Sequence, residues 1–224
     1  MSENEGGNAV ADFTNGFFQG QDLSNSDFTG ISFKGADLRG ADLRNSIFNE
    51  CNLEGAKLNK SDMRDCKFIN ANLTHANMQR ANLSGADFTG AEMQKVDFTS
   101  SIFFEYELNF NGVRVCNRAI FTGANMEGVK FHDSALIDEI SLRELNLKNA
   151  DFADMDLRWV DFEKSNLESA NFYRANLMDA KLEGANVKNA DFTQAKTEFA
   201  SVFGVDFSNS INYTPMPPIA DVDE

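Results

Sequence analysis

Residues 35–46 read GADLRGADLRNS and residues 71–88 read ANLTHANMQRANLSGADF. In both stretches an apolar residue recurs at every fifth position, and a small residue stands two positions before it. The pattern extends from about residue 11 to residue 210, with apolar centres in a first frame from Phe13 to Leu108. The repeating unit is A(D/N)(L/F)xx, and it organises nearly the whole chain.

A five-residue period fits neither of the usual secondary structures. Five helical steps of about 100° turn the apolar position by about 140° each time, so the centres of a helix would circle its axis. In a flat strand an odd step places successive centres on opposite faces. A chain that turns by a fixed angle once per pentad keeps every centre inside. The period therefore predicts a solenoid whose stacked coils share one core.

The two quoted stretches resemble the pentapeptide-repeat family, and the resemblance covers about nine-tenths of the chain. It implies an all-β fold, a right-handed quadrilateral β-helix with four pentads in each coil. The chain is then long enough for about nine to ten coils, a rod roughly 45 Å long at the spacing of β-strands.

The phase of the repeat changes twice. After Leu108 the centres resume at Phe121, which requires about three extra residues and predicts a short loop within the break near 109–120. One more residue is inserted in the break near 137–141, and the third frame runs to Phe192. We expect one repeat domain over residues 11–210, a disordered segment at 1–10 and a proline-rich acidic tail at 211–224.

The composition excludes several classes of ligand. The net charge is −15, which favours solubility and cationic partners and disfavours direct contact with nucleic acid or an anionic membrane. No stretch resembles a signal peptide or a membrane span, and three cysteines do not make a disulfide framework. We therefore expect a cytoplasmic protein.

Groups suited to catalysis are sparse. His75 and His132 stand at outward positions of their pentads, about three coils apart, which predicts solvated surface residues. Cys51 and Cys66 occupy the slot of the small residue, where a cysteine is a buried hydrophobe. Cys116 stands near the first break without a histidine to activate it. The sequence indicates no enzyme, no cofactor and no metal site.

A solenoid with twenty residues per coil would align Asp22, Asp42 and Asp62 in one acidic column. Stacked carboxylates repel one another, and arginines at positions 39, 44 and 64 are close enough to relieve part of this repulsion. The column has two interpretations: a solvated outer surface or a ladder that binds metal.

Aromatic and basic residues at outward positions are candidates for contact with a partner. Tyr106 overfills a small slot, and Trp159 and Arg158 are of the types most enriched in binding hot spots. Alternatively, Phe104 and Phe110 pack beneath the inserted loop. The candidate partner-binding residues are Phe104, Tyr106, Phe110, Arg114, Arg158 and Trp159.

These observations favour a non-enzymatic scaffold or regulator that binds a protein partner through its outer surface. The resemblance implies an alternative, because some family members mimic DNA, bind type II topoisomerases such as gyrase, and protect them from quinolones or toxins. Those members dimerise through an apolar C-terminal helix, and the ending INYTPMPPIADVDE contains no such helix. We expect a monomer, or a homodimer formed through a coil end.

Overall fold

The computed structural model describes residues 11–108, 114–131 and 140–214. The expected disordered segment at 1–10 and most of the expected tail lie outside these residues. No helix in the described ranges is long and apolar enough to cross a membrane.

Parallel β-bridges between residues twenty positions apart hold the coils together. Four columns of bridges run along the molecule, and we number the faces that they define by their first residues. Face 1 begins with Asp12↔Ser32, face 2 with Phe17↔Asp37, face 3 with Asp22↔Asp42 and face 4 with Asp27↔Ile47. One coil therefore contains four pentads, and each pentad contributes one residue to a face.

The geometry of the turn explains which residue types the pentad favours. The Asn72 side-chain oxygen accepts a hydrogen bond from the N–H of Thr74, 3.0 Å away, which is the Asx turn that Asp and Asn favour. The last residue of most pentads has a positive φ, for example 68° at Gly90. A Cβ at Gly90 would lie 2.4 Å from the Asn70 Oδ1 atom, so a larger residue here would displace the Asn70 side chain.

The core is a set of stacked side chains. Ring centroids of Phe48 and Phe68 lie 5.2 Å apart, and those of Phe68 and Phe88 lie 5.0 Å apart, in nearly parallel planes. The stack continues from Phe88 to Phe121 at 5.3 Å, although the first break lies between them in the chain. The aromatic core is therefore continuous across this break.

The first break is a β-hairpin. Strand β1 covers Phe104–Leu108, strand β2 covers Arg114–Arg118, and the two pair antiparallel. The N–H of Ala119 bonds to the C=O of Phe103 at 2.8 Å, just as that of Ala91 bonds to Phe88 at 3.0 Å in an ordinary pentad. The hairpin is therefore inserted within a turn whose closing hydrogen bond is kept.

The expected length and start of this insertion were wrong. Asp87 bridges Ile120, whereas the usual spacing would pair it with Glu107, so thirteen residues leave the coil instead of about three. Thirteen exceeds two whole pentads by three, and the phase of the repeat cannot distinguish these lengths. Leu108, a centre in the sequence pattern, pairs with Arg114 in the hairpin.

The second break adds one residue to the coil. Asn125 bridges Asn146 and Lys130 bridges Asp151, in both cases one position beyond the usual spacing. Residues 132–139, which contain most of the expected break near 137–141, lie outside the described residues. Beyond the break the ladder returns to a spacing of twenty residues, as in Ser141↔Asp161.

Candidate partner-binding surface

The hairpin leaves the solenoid at the corner between faces 3 and 4. Ile102 belongs to face 3 through its bridge with Asn82, and Phe103 follows it. The chain returns at Ala119, one residue before Ile120, which bridges Asp87 on face 4. We call this edge of the molecule the hairpin corner.

The ladder on face 4 is interrupted beside this corner. Among the described residues no bridge joins Ile120 to Ser141, its counterpart in the next coil. The N–H groups of Phe121 and Gly123 have no backbone acceptor in the described ranges, whereas that of Phe88 reaches the Ile120 C=O at 2.8 Å. A cavity of about 500 Å³ lies between the two coils.

The lining of the cavity combines backbone and side chains. It is formed by residues 119–123 on one coil and by Ile140, Ser141, Arg143 and Glu144 on the next. Ile140 is larger than the alanine usual in its slot and is buried. This large residue lies beside the interrupted ladder.

Trp159 stands at the same corner of the solenoid. It ends the face-3 pentad that contains Asp156, and 43 % of its surface is exposed. The guanidinium carbon of Arg158 lies 5.0 Å from the Trp159 ring centroid, a cation–π contact. Arg158 also bonds Asp156 at 2.7 Å, and its guanidinium lowers the pKa of that carboxyl.

The fold brings the hairpin and Trp159 close together. Asp97, Lys130 and Asp151 form one column on face 2, and Ile102 and Asp156 each follow a member of it by five residues. Ile102 and Asp156 are therefore two coils apart on face 3, about 10 Å at the usual spacing between strands.

The partner-binding residues expected from the sequence fall mostly at this corner. Phe104 and Tyr106 lie in β1, opposite Arg118 and Cys116, and Arg114 lies in β2. Arg158 and Trp159 lie two coils further along. Phe110 is outside the described residues. The role of these residues in binding stays a prediction.

The structure also brings Asp22, Asp42 and Asp62 into one column on face 3. Asp42 bonds Arg44 and Asp62 bonds Arg64, both at 2.6 Å, and the Arg44 Nε lies 3.7 Å from Asp62. The hydrogen bond from Arg44 lowers the pKa of the Asp42 carboxyl. Arginines therefore neutralise two of the three carboxylates in the column.

The net charge is unevenly distributed along the chain. Residues 1–10, 132–139 and 215–224 contain eight acidic residues and no lysine or arginine. More than half of the net charge of −15 therefore belongs to segments outside the described coils. In the described parts of the chain, no group of three or more His, Cys, Asp or Glu side chains could hold a metal ion.

The cysteines and histidines do not assemble a reactive centre within the described residues. The Cys51 and Cys66 thiols are buried and donate to the C=O of Phe28 and Leu43, both at 2.9 Å. Burial raises the pKa of Cys51 to about 11 and also raises that of Cys66. His75 is exposed at the end of its pentad.

Cys116 lies in β2, opposite Tyr106. His132 lies outside the described residues. The expectations for these two residues stay predictions.

Sequence reasoning missed exposed aromatic residues near the two ends of the solenoid. Phe17 in the first described coil is 84 % exposed, and Phe203 in the last is 87 % exposed. Their signal in the sequence is a phenylalanine at a pentad position that is elsewhere mostly polar. It was present but weak, because phenylalanine also fills so many of the centres.

Comparison with known proteins agrees with the repeat. Family models described as pentapeptide repeats match residues 18–57 and 140–211, and one described as a pentapeptide repeat region matches residues 41–115. The chain belongs to the pentapeptide-repeat family. A comparison with curated proteins finds no match.

Solved structures of similar proteins include HetL, a pentapeptide-repeat protein involved in heterocyst differentiation regulation from the cyanobacterium Nostoc sp. strain PCC 7120. It is 23 % identical, the alignment covers 87 % of this chain and 88 % of HetL, and the TM-score is 0.46. Full-length QnrB1, a plasmid-mediated fluoroquinolone resistance protein, is 19 % identical over 88 % of this chain and 87 % of its own, with a TM-score of 0.27.

A third similar structure is Rfr23, a pentapeptide-repeat protein from the cyanobacterium Cyanothece 51142. It is 23 % identical over 58 % of this chain and 90 % of its own, with a TM-score of 0.24.

Proposed function

We propose that this protein is a non-enzymatic scaffold or regulator that binds a protein partner at the hairpin corner. The observation that carries the proposal is the coincidence of three features there: the hairpin, the interrupted face-4 ladder and exposed Trp159 with Arg158. Elsewhere in the solenoid the described coils repeat with little variation, so this corner is the most distinctive part of the outer surface.

The chemistry of the corner suits a protein ligand. Trp and Arg are the residue types most enriched among binding hot spots, and Trp159 and Arg158 already contact each other. The N–H groups of Phe121 and Gly123, which lack a backbone acceptor in the described ranges, offer hydrogen bonds to a partner. A small hairpin on a rigid solenoid also fits the common placement of binding sites on loops held by a scaffold.

The architecture that presents this surface is, in our proposal, a right-handed quadrilateral β-helix of nine to ten coils. The four bridged columns support the four-sided section. We place the protein in the cytoplasm as a monomer, or as a homodimer joined at a coil end. Exposed Phe17 and Phe203 support contact at an end.

Binding to a type II topoisomerase as a DNA mimic is the second candidate. It is favoured by the column of Asp22, Asp42 and Asp62, whose members repeat at the coil spacing on one face. The arginines bonded to Asp42 and Asp62 weaken this candidate, because a mimic of the DNA backbone must present unneutralised charge.

Affinity capture from the source cells, with identification of the bound proteins, tests the first candidate. Trp159→Ala should reduce the capture of a specific partner at least tenfold. Tyr173→Ala is the matched control, because Tyr173 is 37 % exposed and contacts Arg174 but lies on face 2. Equal capture by wild type and Trp159→Ala would refute a binding site at the corner.

A supercoiling assay with purified gyrase and topoisomerase IV, with and without a quinolone, tests the second candidate. Inhibition or drug protection that is lost in Asp22→Asn/Asp42→Asn/Asp62→Asn, but kept in Trp159→Ala, would replace the first proposal by the second. Absence of both effects would eliminate the topoisomerase candidate.

A further inference from the structure

Basic residues at the last position of a pentad can face an acidic residue one coil away. Arg174 lies 3.0 Å from Asp154, and Lys164 lies 3.6 Å from Glu144. In each pair the two residues are twenty positions apart. The coil spacing thus places opposite charges next to each other on the outer surface, which relieves repulsion along the column.

Lys60 and Arg80 depart from this arrangement. They end pentads of face 2 in successive coils, as the Lys60 N–H bond to the Gln79 C=O at 2.9 Å shows. Both side chains are exposed, and within the described residues neither makes an ion pair. Two like charges are therefore stacked on a protein whose net charge is −15.

The backbone at both positions is that of most pentad ends and does not by itself favour a long cationic side chain. The φ angle is 63° at Lys60 and 58° at Arg80, in the left-handed region where Gly, Asn and Asp are favoured. Neither the turn nor the charge of the neighbouring coil accounts for two long cationic side chains here.

A cleft of about 340 Å³ lies between these side chains. Its lining consists of Lys60 and Arg80 with Asn59, Gln79, Thr99 and Ser100, and it includes no carboxylate. Asp97 does not line the cleft, and its carboxylate accepts hydrogen bonds from Gln79 at 2.8 Å and from the Thr99 hydroxyl at 2.6 Å. The cleft therefore combines two cations with uncharged amide and hydroxyl groups.

We propose that Lys60 and Arg80 form a binding site for a phosphoryl group. A phosphate monoester carries close to two negative charges at neutral pH and neutralises both cations at once. The planar guanidinium of Arg80 can bond two phosphoryl oxygens, and the Lys60 ammonium adds a point charge. The Asn59 amide and the Ser100 hydroxyl can donate to the remaining oxygen.

This site is separate from the proposed partner-binding surface. Lys60 and Arg80 lie at the corner between faces 2 and 3, and they precede the hairpin in the chain. Loss of phosphoryl binding would leave the proposal for Trp159 intact, and failure of that proposal would not affect this one.

Calorimetric titration at low ionic strength, with inorganic phosphate and with a phosphoserine peptide as separate probes, tests the inference. Wild type should bind at least one probe saturably, and Lys60→Gln/Arg80→Gln should bind it at least tenfold more weakly. The unphosphorylated peptide should not bind. Tighter binding of the phosphopeptide than of phosphate would indicate a phosphorylated partner, and the reverse order would indicate a free anion.

Two further variants make the test specific. Lys188→Gln/Lys196→Gln removes the same charge from exposed positions on other faces and should leave binding unchanged. Arg80→Lys keeps the charge but removes the planar fork, and should weaken binding less than the double substitution. The absence of saturable binding to both probes, or an equal loss in the control variant, would overturn the proposal.

Discussion

Residues 31–100 and residues 101–146 are built from the same pentad, yet they differ in the spacing of the β-bridges that join their coils. Within the first region every bridge joins positions twenty apart. Most bridges that reach the second region span the thirteen extra residues of the hairpin insertion or the single residue of the second break, and the face-4 ladder is interrupted between Ile120 and Ser141. The phenylalanine stack nevertheless crosses from Phe88 to Phe121 with the rings only 5° from parallel.

The comparison teaches that this solenoid tolerates insertions at its corners. A hairpin enters at a turn, where the Ala119–Phe103 hydrogen bond closes its base, so the core stack and the pairing with the preceding coil are kept. Each coil contacts only its neighbours, as in other repeat proteins. Regular coils therefore provide rigidity, while the interrupted coil provides a surface that differs from the rest.

The continuity of the core predicts the largest effect. Phe68→Ala in the regular region and Phe121→Ala past the hairpin should each lower the free energy of unfolding by about 3–5 kcal/mol, because both rings are buried in one stack. Urea unfolding followed by circular dichroism measures both. A cost below about 1 kcal/mol for Phe121→Ala alone, well under the usual cost of a buried ring, would show that the hairpin divides the core.

Alkaline pH should destabilise the regular region through its two buried thiols. An unfolded cysteine titrates near pH 9, whereas the pKa of folded Cys51 is raised to about 11 and that of Cys66 is raised as well. The unfolded state loses these protons first, so stability falls as the pH rises above 9. The two thiols together should lower the free energy of unfolding by about 2.5 kcal/mol between pH 8 and pH 10.

Unfolding of wild type and of Cys51→Ser/Cys66→Ser at the two pH values checks this prediction. Serine already occupies the same slot at Ser46 and Ser61, so the double variant should fold. An equal loss of stability in both proteins would assign the alkaline effect to other groups.

Removal of the hairpin should have a smaller effect on stability. Replacement of residues 104–118 by Thr-Gly, the residues that end the pentad at Phe88, restores the spacing of twenty residues. The free energy of unfolding should stay constant or rise by up to about 2 kcal/mol, because a long loop no longer has to close. Thermal unfolding measures it, and partner capture should be lost. A destabilised variant would show that the hairpin supports the coils.

The smallest expected effect belongs to the acidic column of face 3. Asp42→Asn/Asp62→Asn removes carboxylates from exposed pairs with Arg44 and Arg64. Such pairs contribute little, since solvent and salt screen them, and the melting temperature should change by less than about 2 °C. A larger drop, measured by thermal unfolding at low salt, would show that the column is a structural network.

Much of the site could be anticipated from residue types but not from positions. Trp159 and Arg158 stand out as large outward residues among the pentads. Their relation to the hairpin depends on how many residues leave the coil between Ile102 and Asp156. That number decides which face each later pentad joins. The phase of the pattern does not fix it, because insertions that differ by whole pentads give the same phase.

The sequence by itself determined the solenoid, its apolar centres and its small slots, because every pentad makes the same turn and buries the same two positions. The Asp22, Asp42 and Asp62 column also follows once a coil contains twenty residues. Only the tertiary structure decided the length of the hairpin insertion, the gap between Ile120 and Ser141 and the approach of Arg44 to Asp62 in the next coil. These features depend on contacts between coils, which a local period of five residues cannot specify.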